Sequence, residues 1–577
     1  MLIALMLAGC GTTAGPGFSA DPPRWTPAGV PLPICEDPDD HRWAFTDVAG
    51  QLGLQDVEDR NRSVAAADFD GDGRIDLMLG NPGDSVRLYR GGPDATFVEQ
   101  TQGVPSTGWD AGLSAADYDN DGDPDLFIAC GGFTATCTNG LFRNDGLNAD
   151  GDVVFTDVTA SVEGMAQRGS ANKGGAWADY DADGDLDLFV STKDLSLHWV
   201  DGQPTPGGGD FSITGGPPLP DFTASTEDRL YRNDGEAGFA DVSELAGLAL
   251  DGNLHRSVWL DADGDGDPDL WVTGFLATSR LMRNDGDGTF TDITASIPPG
   301  PLENFSSVAQ DYNNDGHIDI LAANAFQGQG CFFPAEWAPH ALLLGDGEGG
   351  FTDAALRSEL SDAADQTTPF PTMGLQTEDL DGDGWLEVIF GHGNPNVGGS
   401  VPNQLLSALP GGQDGVVFEE RSDVIQTRAI LPDGTTGKMG NRSHGIAVFD
   451  YDGDGDHDLF IGNGGVYDDQ FEPNRLFRND SPCRYPYVEL DFQLGDGVNR
   501  DGVGALVRLS DGPPGDSTWQ VVRMQRRSSG FNSSRQRTLR LYAGDHAGPY
   551  HVTVTLPNGA GEQIYTDVAD LTLLSVR

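Results

Sequence analysis

A nonapeptide of the form D-x-[DN]-x-D-G-x-x-[DE] recurs seven times along the chain, as DFDGDGRID (68–76), DYDNDGDPD (117–125), DYDADGDLD (179–187), DADGDGDPD (261–269), DYNNDGHID (311–319), DLDGDGWLE (379–387) and DYDGDGDHD (450–458). Copies start 49, 62, 82, 50, 68 and 71 residues apart, so the chain reads as an array whose units bury their faces on one another. Alternating acids followed by Gly are what a hard cation requires. Positions 1, 3 and 5 aim carboxylates inward, Gly at position 6 permits a sharp reversal, position 7 offers its carbonyl and position 9 closes the shell. The candidate ligands are Asp68, Asp70, Asp72 and Asp76; Asp117, Asp119, Asp121 and Asp125; Asp179, Asp181, Asp183 and Asp187; Asp261, Asp263, Asp265 and Asp269; Asp311, Asn313, Asp315 and Asp319; Asp379, Asp381, Asp383 and Glu387; and Asp450, Asp452, Asp454 and Asp458. An all-oxygen set points to Ca2+, up to seven ions, rather than zinc, for which Cys or His would be expected. The copy with Asn313 and His317 holds only three carboxylates and is expected to bind most weakly. An EF-hand would need Glu at position 12, where this chain has Leu79, Ile128, Val190, Val272, Ala322, Phe390 and Ile461. All are apolar, so these loops are not EF-hands.

Strand-like runs flank each loop, SVAAADFD, GAWADYD or SVWLDAD before it and DLMLG, DLFIA or DLWVT after it. A further run follows (LYRGG at 88, LFRND at 141, LYRND at 230, LMRND at 281, LLLGD at 342, LLSAL at 405, LFRND at 476), and then Phe97, Phe155, Phe239, Phe290, Phe351 or Phe418 across a Gly/Asn/Asp-rich turn. The unit is four strands: A, cation loop, B, connection, C, hairpin, D. The last copy lacks its D strand, and the missing piece, Phe45-Thr46-Asp47-Val48, stands before the first loop. That circular offset predicts an all-β, seven-bladed β-propeller over residues 40–482, closed by its N-terminal strand, which removes exposed sheet edges. Closure should bring Cys35 and Cys483 together as a disulfide. Cys130 and Cys137 bracket the short loop CGGFTATC and form a reasonable second pair, leaving Cys331 as the odd thiol and a competitor for Cys35 or Cys483. Because neighbouring strands of a blade are antiparallel, the A–B and C–D connections share one face, so the N-terminal tether and the C-terminal segment should both join on the cation face.

Residues 483–577 change character. From 484 onward there are ten Arg, ten acidic residues and no Lys, so the whole formal charge of −58 belongs to the preceding residues. Strand-like runs such as YVELDFQL, GALVRLS and YHVTVTL imply a small β-sandwich-like module. The overall acidity, 91 Asp and Glu against 33 Lys and Arg, repels phosphate backbones and argues against nucleic acid. At the N-terminus, residues 1–10 end in Leu7-Ala8-Gly9-Cys10, which resembles a bacterial lipobox with Cys10 as the lipidated residue. No Lys or Arg precedes this apolar run, a departure from the signal pattern. Residues 11–39 form a Pro/Gly-rich tether. Membrane association is expected only through that lipid anchor, on an exported bacterial envelope or secreted protein.

The blades resemble FG-GAP/VCBS repeats, the family of integrin α-subunit propellers, and the fuller unit with L-[FY]-R-N-D-G and F-T-D-V is similar to the cartilage acidic protein group. In that group the propeller is followed by an ASPIC/UnbV domain, and Asn499-Arg500-Asp501-Gly502-Val503-Gly504-Ala505, SSGFNSS and TVTLPNG resemble its pattern. Leu556 stands where the family has Trp, and Asn532-Ser533 where it has Ser-Gln.

No G-x-S-x-G, H-E-x-x-H, P-loop or dinucleotide fingerprint occurs. His255 and His444 hold equivalent places before strand A and read as packing residues. The extra length between loops falls mostly in the B–C and D–A connections, on the face away from the cations, with Trp199, Phe332, Phe333 and Trp337 among them. Long loops on a rigid scaffold carry binding. The expected function is therefore non-enzymatic adhesion to, or binding of, an extracellular protein or glycan. The alternatives are a polysaccharide-active hydrolase or lyase, or a scaffold subunit of a surface assembly.

Overall fold

In the computed structural model, the residues described are 32–35, 43–55, 63–81, 86–100, 102–107, 110–130, 138–166, 171–193, 199–200, 203–204, 227–250, 254–274, 277–298, 304–324, 340–360, 372–392, 403–425, 443–464, 473–495, 497–513, 516–526, 533–534 and 538–577. Cys10, Cys137, Cys331, Phe332, Phe333 and Trp337 lie outside them.

Seven antiparallel units of four strands form the blades of a propeller, and the sheet of blade one carries a fifth, parallel strand from the C-terminal module. Their innermost strands are Ser63–Ala67, Asp110–Ala116, Ala171–Ala178, Leu254–Leu260, Asn304–Gln310, Thr372–Glu378 and Ser443–Phe449. Each touches the innermost strand of the next blade, and Ser443–Phe449 touches Ser63–Ala67, so the ring is closed. The inner strands read as continuous apolar runs, such as DLMLG (76–80) and DLFIAC (125–130), buried at every residue, because both faces of a blade are covered. Clusters such as Val308, Leu321, Leu375, Val388 and Phe390 fill the gaps between neighbouring blades. The N-terminal strand Phe45–Asp47 pairs with Arg475–Asn479, Phe45 opposite Asn479, and supplies the outermost strand of blade seven. Cys35 and Cys483 are joined at that seam. Cys130 is also disulfide-bonded.

Two further sheets follow the propeller. One orders Thr538–Tyr542, Tyr487–Phe492 and Thr572–Val576; the other orders Gln520–Met524, Leu506–Ser510, Tyr550–Leu556 and Gly561–Val568. Val488, Leu490, Val507, Leu541, Val552 and Val554 pack between them, which makes a small sandwich. Its pair Ser533–Ser534 runs parallel to Val64 and Ala65 of blade one, against the innermost strands of blades two and seven as well. The C-terminal module thus reaches into the middle of the ring. No helix among the described residues is long and apolar enough to cross a membrane.

Candidate metal centres

Each acidic nonapeptide connects an innermost strand to the second strand of its blade, and backbone geometry explains its composition. The Gly at position 6 has positive φ in all seven loops, from 88° at Gly73 to 107° at Gly122, a region that side chains disfavour. Position 4 has positive φ as well, at Gly71, Asn120, Ala182, Gly264, Asn314, Gly382 and Gly453. Gly and Asn tolerate it; Ala182, at 64°, is the one residue in the set without that tolerance.

The folded loop spends its first and last carboxylates partly on its own backbone. Position 1 accepts the amide of position 6 throughout, as Asp68 does from Gly73 at 2.8 Å and Asp450 from Gly455 at 3.0 Å. Position 9 accepts the amide of position 2 with one oxygen: Asp76 from Phe69 at 2.8 Å, Asp187 from Tyr180 at 3.0 Å, Glu387 from Leu380 at 2.7 Å. Its other oxygen takes an amide from the third strand of the blade, Gly91, Asn144, Asn233, Asn284, Gly345 or Asn479. In blade six, where the acid is Glu387, the Ser407 hydroxyl serves instead, at 3.0 Å. Position 9 is thus a brace between loop and blade as well as a candidate ligand.

Carboxylate oxygens of positions 1, 3 and 9 converge within 4.8 Å of one another in Asp68/Asp70/Asp76, Asp117/Asp119/Asp125, Asp179/Asp181/Asp187 and Asp379/Asp381/Glu387; in the fourth loop Asp261, Asp263 and Asp265 converge. In the fifth loop the Asn313 amide donates to Asp315 at 2.9 Å. Asp181 Oδ1 and Asp452 Oδ1, both at position 3, are buried with no hydrogen-bond partner. Asp456, at position 7 of the last loop, buries both its oxygens without one; the sequence reading had used only its carbonyl. Burial, reinforced by the neighbouring carboxylates, pushes Asp76 and Asp269 up to about 8 and Asp117 and Asp179 to about 7. Oxygens that converge, repel one another and are in part buried fit a hard divalent cation, the one partner that neutralises several carboxylates at once.

Sequence reasoning missed the Asn of L-x-R-N-D, although its recurrence was visible. Asn144, Asn233, Asn284 and Asn479 are buried, and each donates its side-chain amide to the loop of the preceding blade, at Phe69 O (2.9 Å), Tyr118 O (2.8 Å), Tyr180 O (2.8 Å) and Leu380 O (3.0 Å). His255 sits 3.0 Å from Phe305 O of the next blade and packs on its ring; His444 is buried.

The cation face is covered by the C-terminal sandwich, as the strand parity requires. Arg500 donates to Asn120 O of loop two at 3.2 Å. Asn558 donates to Asp179 O of loop three at 2.9 Å and Gly266 O of loop four at 2.7 Å. Gln520 donates to Asn314 O of loop five (2.9 Å), Arg523 to Gly384 O of loop six (3.0 Å) and the Tyr542 hydroxyl to Gly455 O of loop seven (3.1 Å). Loop one has its residues 71–74 exposed. Trp199 lies in a short hairpin, Trp199–Val200 against Gln203–Pro204.

An FG-GAP-like repeat model matches residues 45–128 and 261–322, and an ASPIC and UnbV model matches residues 495–576. Cartilage acidic protein 1 of Xenopus tropicalis is 30% identical over 151 residues, 26% of this chain and 23% of that protein. The Mus musculus protein of the same name is 30% identical over 156 residues, with the same shares. The matched part thus spans less than a quarter of these relatives. Among solved structures, a lectin of Agrocybe aegerita that recognises non-reducing terminal N-acetylglucosamine aligns with a TM-score of 0.39 at 18% identity, over 63% of this chain and 81% of that one. BBS1N, solved in complex with ARL6DN, aligns with a TM-score of 0.39 at 11% identity, over 78% of this chain and 98% of that one. The chain carries FG-GAP-like repeats followed by an ASPIC and UnbV domain, with weak homology to cartilage acidic protein 1.

Proposed function

We propose that this is a calcium-stabilised, exported, non-enzymatic binding protein, held at a bacterial cell envelope through Cys10, whose extracellular protein or glycan ligand docks on the propeller face opposite the cation loops. The observation that carries this reading is that the sandwich already occupies loops two to seven. By strand parity the strand ends that the long B–C and D–A connections join lie on the other face, where loops on a rigid ring can carry binding. Calcium's role is structural: ionised carboxylates packed this closely repel until a divalent ion joins them, so binding and folding are linked. Chelation with EDTA is expected to lower the melting temperature of the full chain by several degrees, and calcium to restore it. An unchanged melt rejects the calcium reading. Pull-down of envelope proteins and glycans with and without calcium, repeated after shortening the 193–229 connection, tests the binding face; capture that survives the shortened loop counts against that loop.

A further inference from the structure

Cover of the cation face by the sandwich is incomplete between loops five and six, where the two domains leave an open cleft of about 650 Å³. That size lies within the ~300–1,000 Å³ typical of ligand pockets. One wall is Trp385, position 7 of loop six, half-buried on the core between blades five and six. The other is Trp519, which enters the strand Gln520–Met524 and stacks on His546 at 4.2 Å with the rings 9° from parallel. Between them the lining offers the Arg508 guanidinium as donor and, as acceptors, the exposed Thr518 hydroxyl, whose proton goes to Asp511, and Asp383 of cation loop six. Arg508 is held in place by donating to Gln520 Oε1 at 2.5 Å, while Gln520 in turn donates to Asn314 O at 2.9 Å.

We propose that this cleft is a second ligand site, for a short stretch of a neutral oligosaccharide. A pyranose ring has apolar C–H faces and a rim of hydroxyls, and it needs what this cleft places together: indole surface and a few fixed donors and acceptors. A wholly apolar ligand would strip water from Arg508, Asp383 and Thr518 without replacing it. A polyanion would approach the carboxylates of loops five and six with Arg508 as the one Lys or Arg among the described lining residues. An extended peptide would seek a free sheet edge, but the edge strand here already spends its outward amides on the propeller, Val522 on Asn314 Oδ1 (3.4 Å) and Met524 on Gln310 Oε1 (3.0 Å).

This inference rests on the reading of the chain as a binding protein and adds a site and a ligand class to it. The test is calorimetric titration of the full calcium-loaded chain with cellotetraose, xylotetraose and chitotetraose, with tetragalacturonate as the charged arm. At least one neutral tetrasaccharide is expected to bind, with affinity reduced tenfold or more in Trp519→Ala and in Arg508→Ala. Trp519→Phe should retain most of it, and an unchanged melting temperature of Arg508→Ala separates lost contact from lost fold. The proposal is overturned if no neutral tetrasaccharide binds at millimolar concentration, if tetragalacturonate binds more tightly than all three, or if both alanine variants bind as the parent does. In that last case sugar binding resides elsewhere, and the binding-protein reading stands without this cleft.

Discussion

Two positions in the cation loop do more than the ligand pattern alone conveys. Position 9 is tied to its own loop through one oxygen and to the third strand of the blade through the other, and its burial places Asp76 and Asp269 at about 8, against about 3.9 in an unfolded chain. The sign follows from proton counting. With a raised folded pKa, the metal-free native state holds protons that the unfolded chain has released. The stability these groups contribute is full below about pH 4 and is lost as pH rises through about 8. Calcium needs the deprotonated ligand, so its stabilisation should grow over the same window. The difference in melting temperature between calcium-loaded and EDTA-treated protein is expected to be larger at pH 8 than at pH 5, and equal differences would refute the linkage. Position 4 supplies a separate test, because Ala182 is held at a φ of 64° where an alanine costs roughly 1–2 kcal/mol. Allowing for glycine's extra entropy when unfolded, Ala182→Gly should stabilise by about 0.5–1 kcal/mol in urea titration, and a destabilised variant would disprove strain there.

At the scale of the blade, spacing was enough to place four strands and their loop. The short apolar, strand-like runs on either side of each acidic nonapeptide are confined to a few residues by turn signals, so element type and order could be read directly. What could not be read was how blades hold one another, because a buried Asn and an exposed Asn look alike in a turn-rich motif such as L-F-R-N-D. The structure separates them. Asn144, Asn233, Asn284 and Asn479 bridge to the loop behind, while blades one and five carry Gly91 and Gly345 at the equivalent place. The four asparagines make a ring whose blade-to-blade hydrogen bonding is uneven. Removing one of them leaves buried carbonyls unpaired, such as Tyr180 O and Pro268 O beside Asn284, at about 1–3 kcal/mol. Asn284→Ala is therefore expected to lower the unfolding free energy by that amount, read as a reduced denaturant midpoint at unchanged slope, with amide exchange quickening first in the 179–187 loop. Uniform exchange across the ring would mean that the side chain packs its site without joining two blades.

For the whole molecule, circular offset and strand parity were legible because they are topological: a missing last strand and a spare first one have one economical solution. The docking of the sandwich was legible only as a face. Its contacts depend on side chains that no period marks, above all the arginines of a module with zero net charge. Arg500, Arg523 and Arg540 stand 3.8, 3.8 and 3.1 Å from Asp117, Asp379 and Asp450, the first positions of loops two, six and seven. Arg523 and Asp379 are both 2% exposed; burial holds the Asp379 carboxyl well above the usual range, and the Arg523 charge beside it favours the ionised form that a cation needs. The sandwich also reads loop shape, through the carbonyls of Gly266, Gly384 and Gly455, and that shape is fixed most firmly when a cation joins the carboxylates beneath. Metal loading and domain docking should therefore be one cooperative event. Calorimetry is expected to show a single unfolding transition for the calcium-loaded chain, and two, with the sandwich separating from the ring, after chelation or in Arg523→Ala. A single transition under all three conditions would mean that the sandwich holds the ring whether or not its loops are filled.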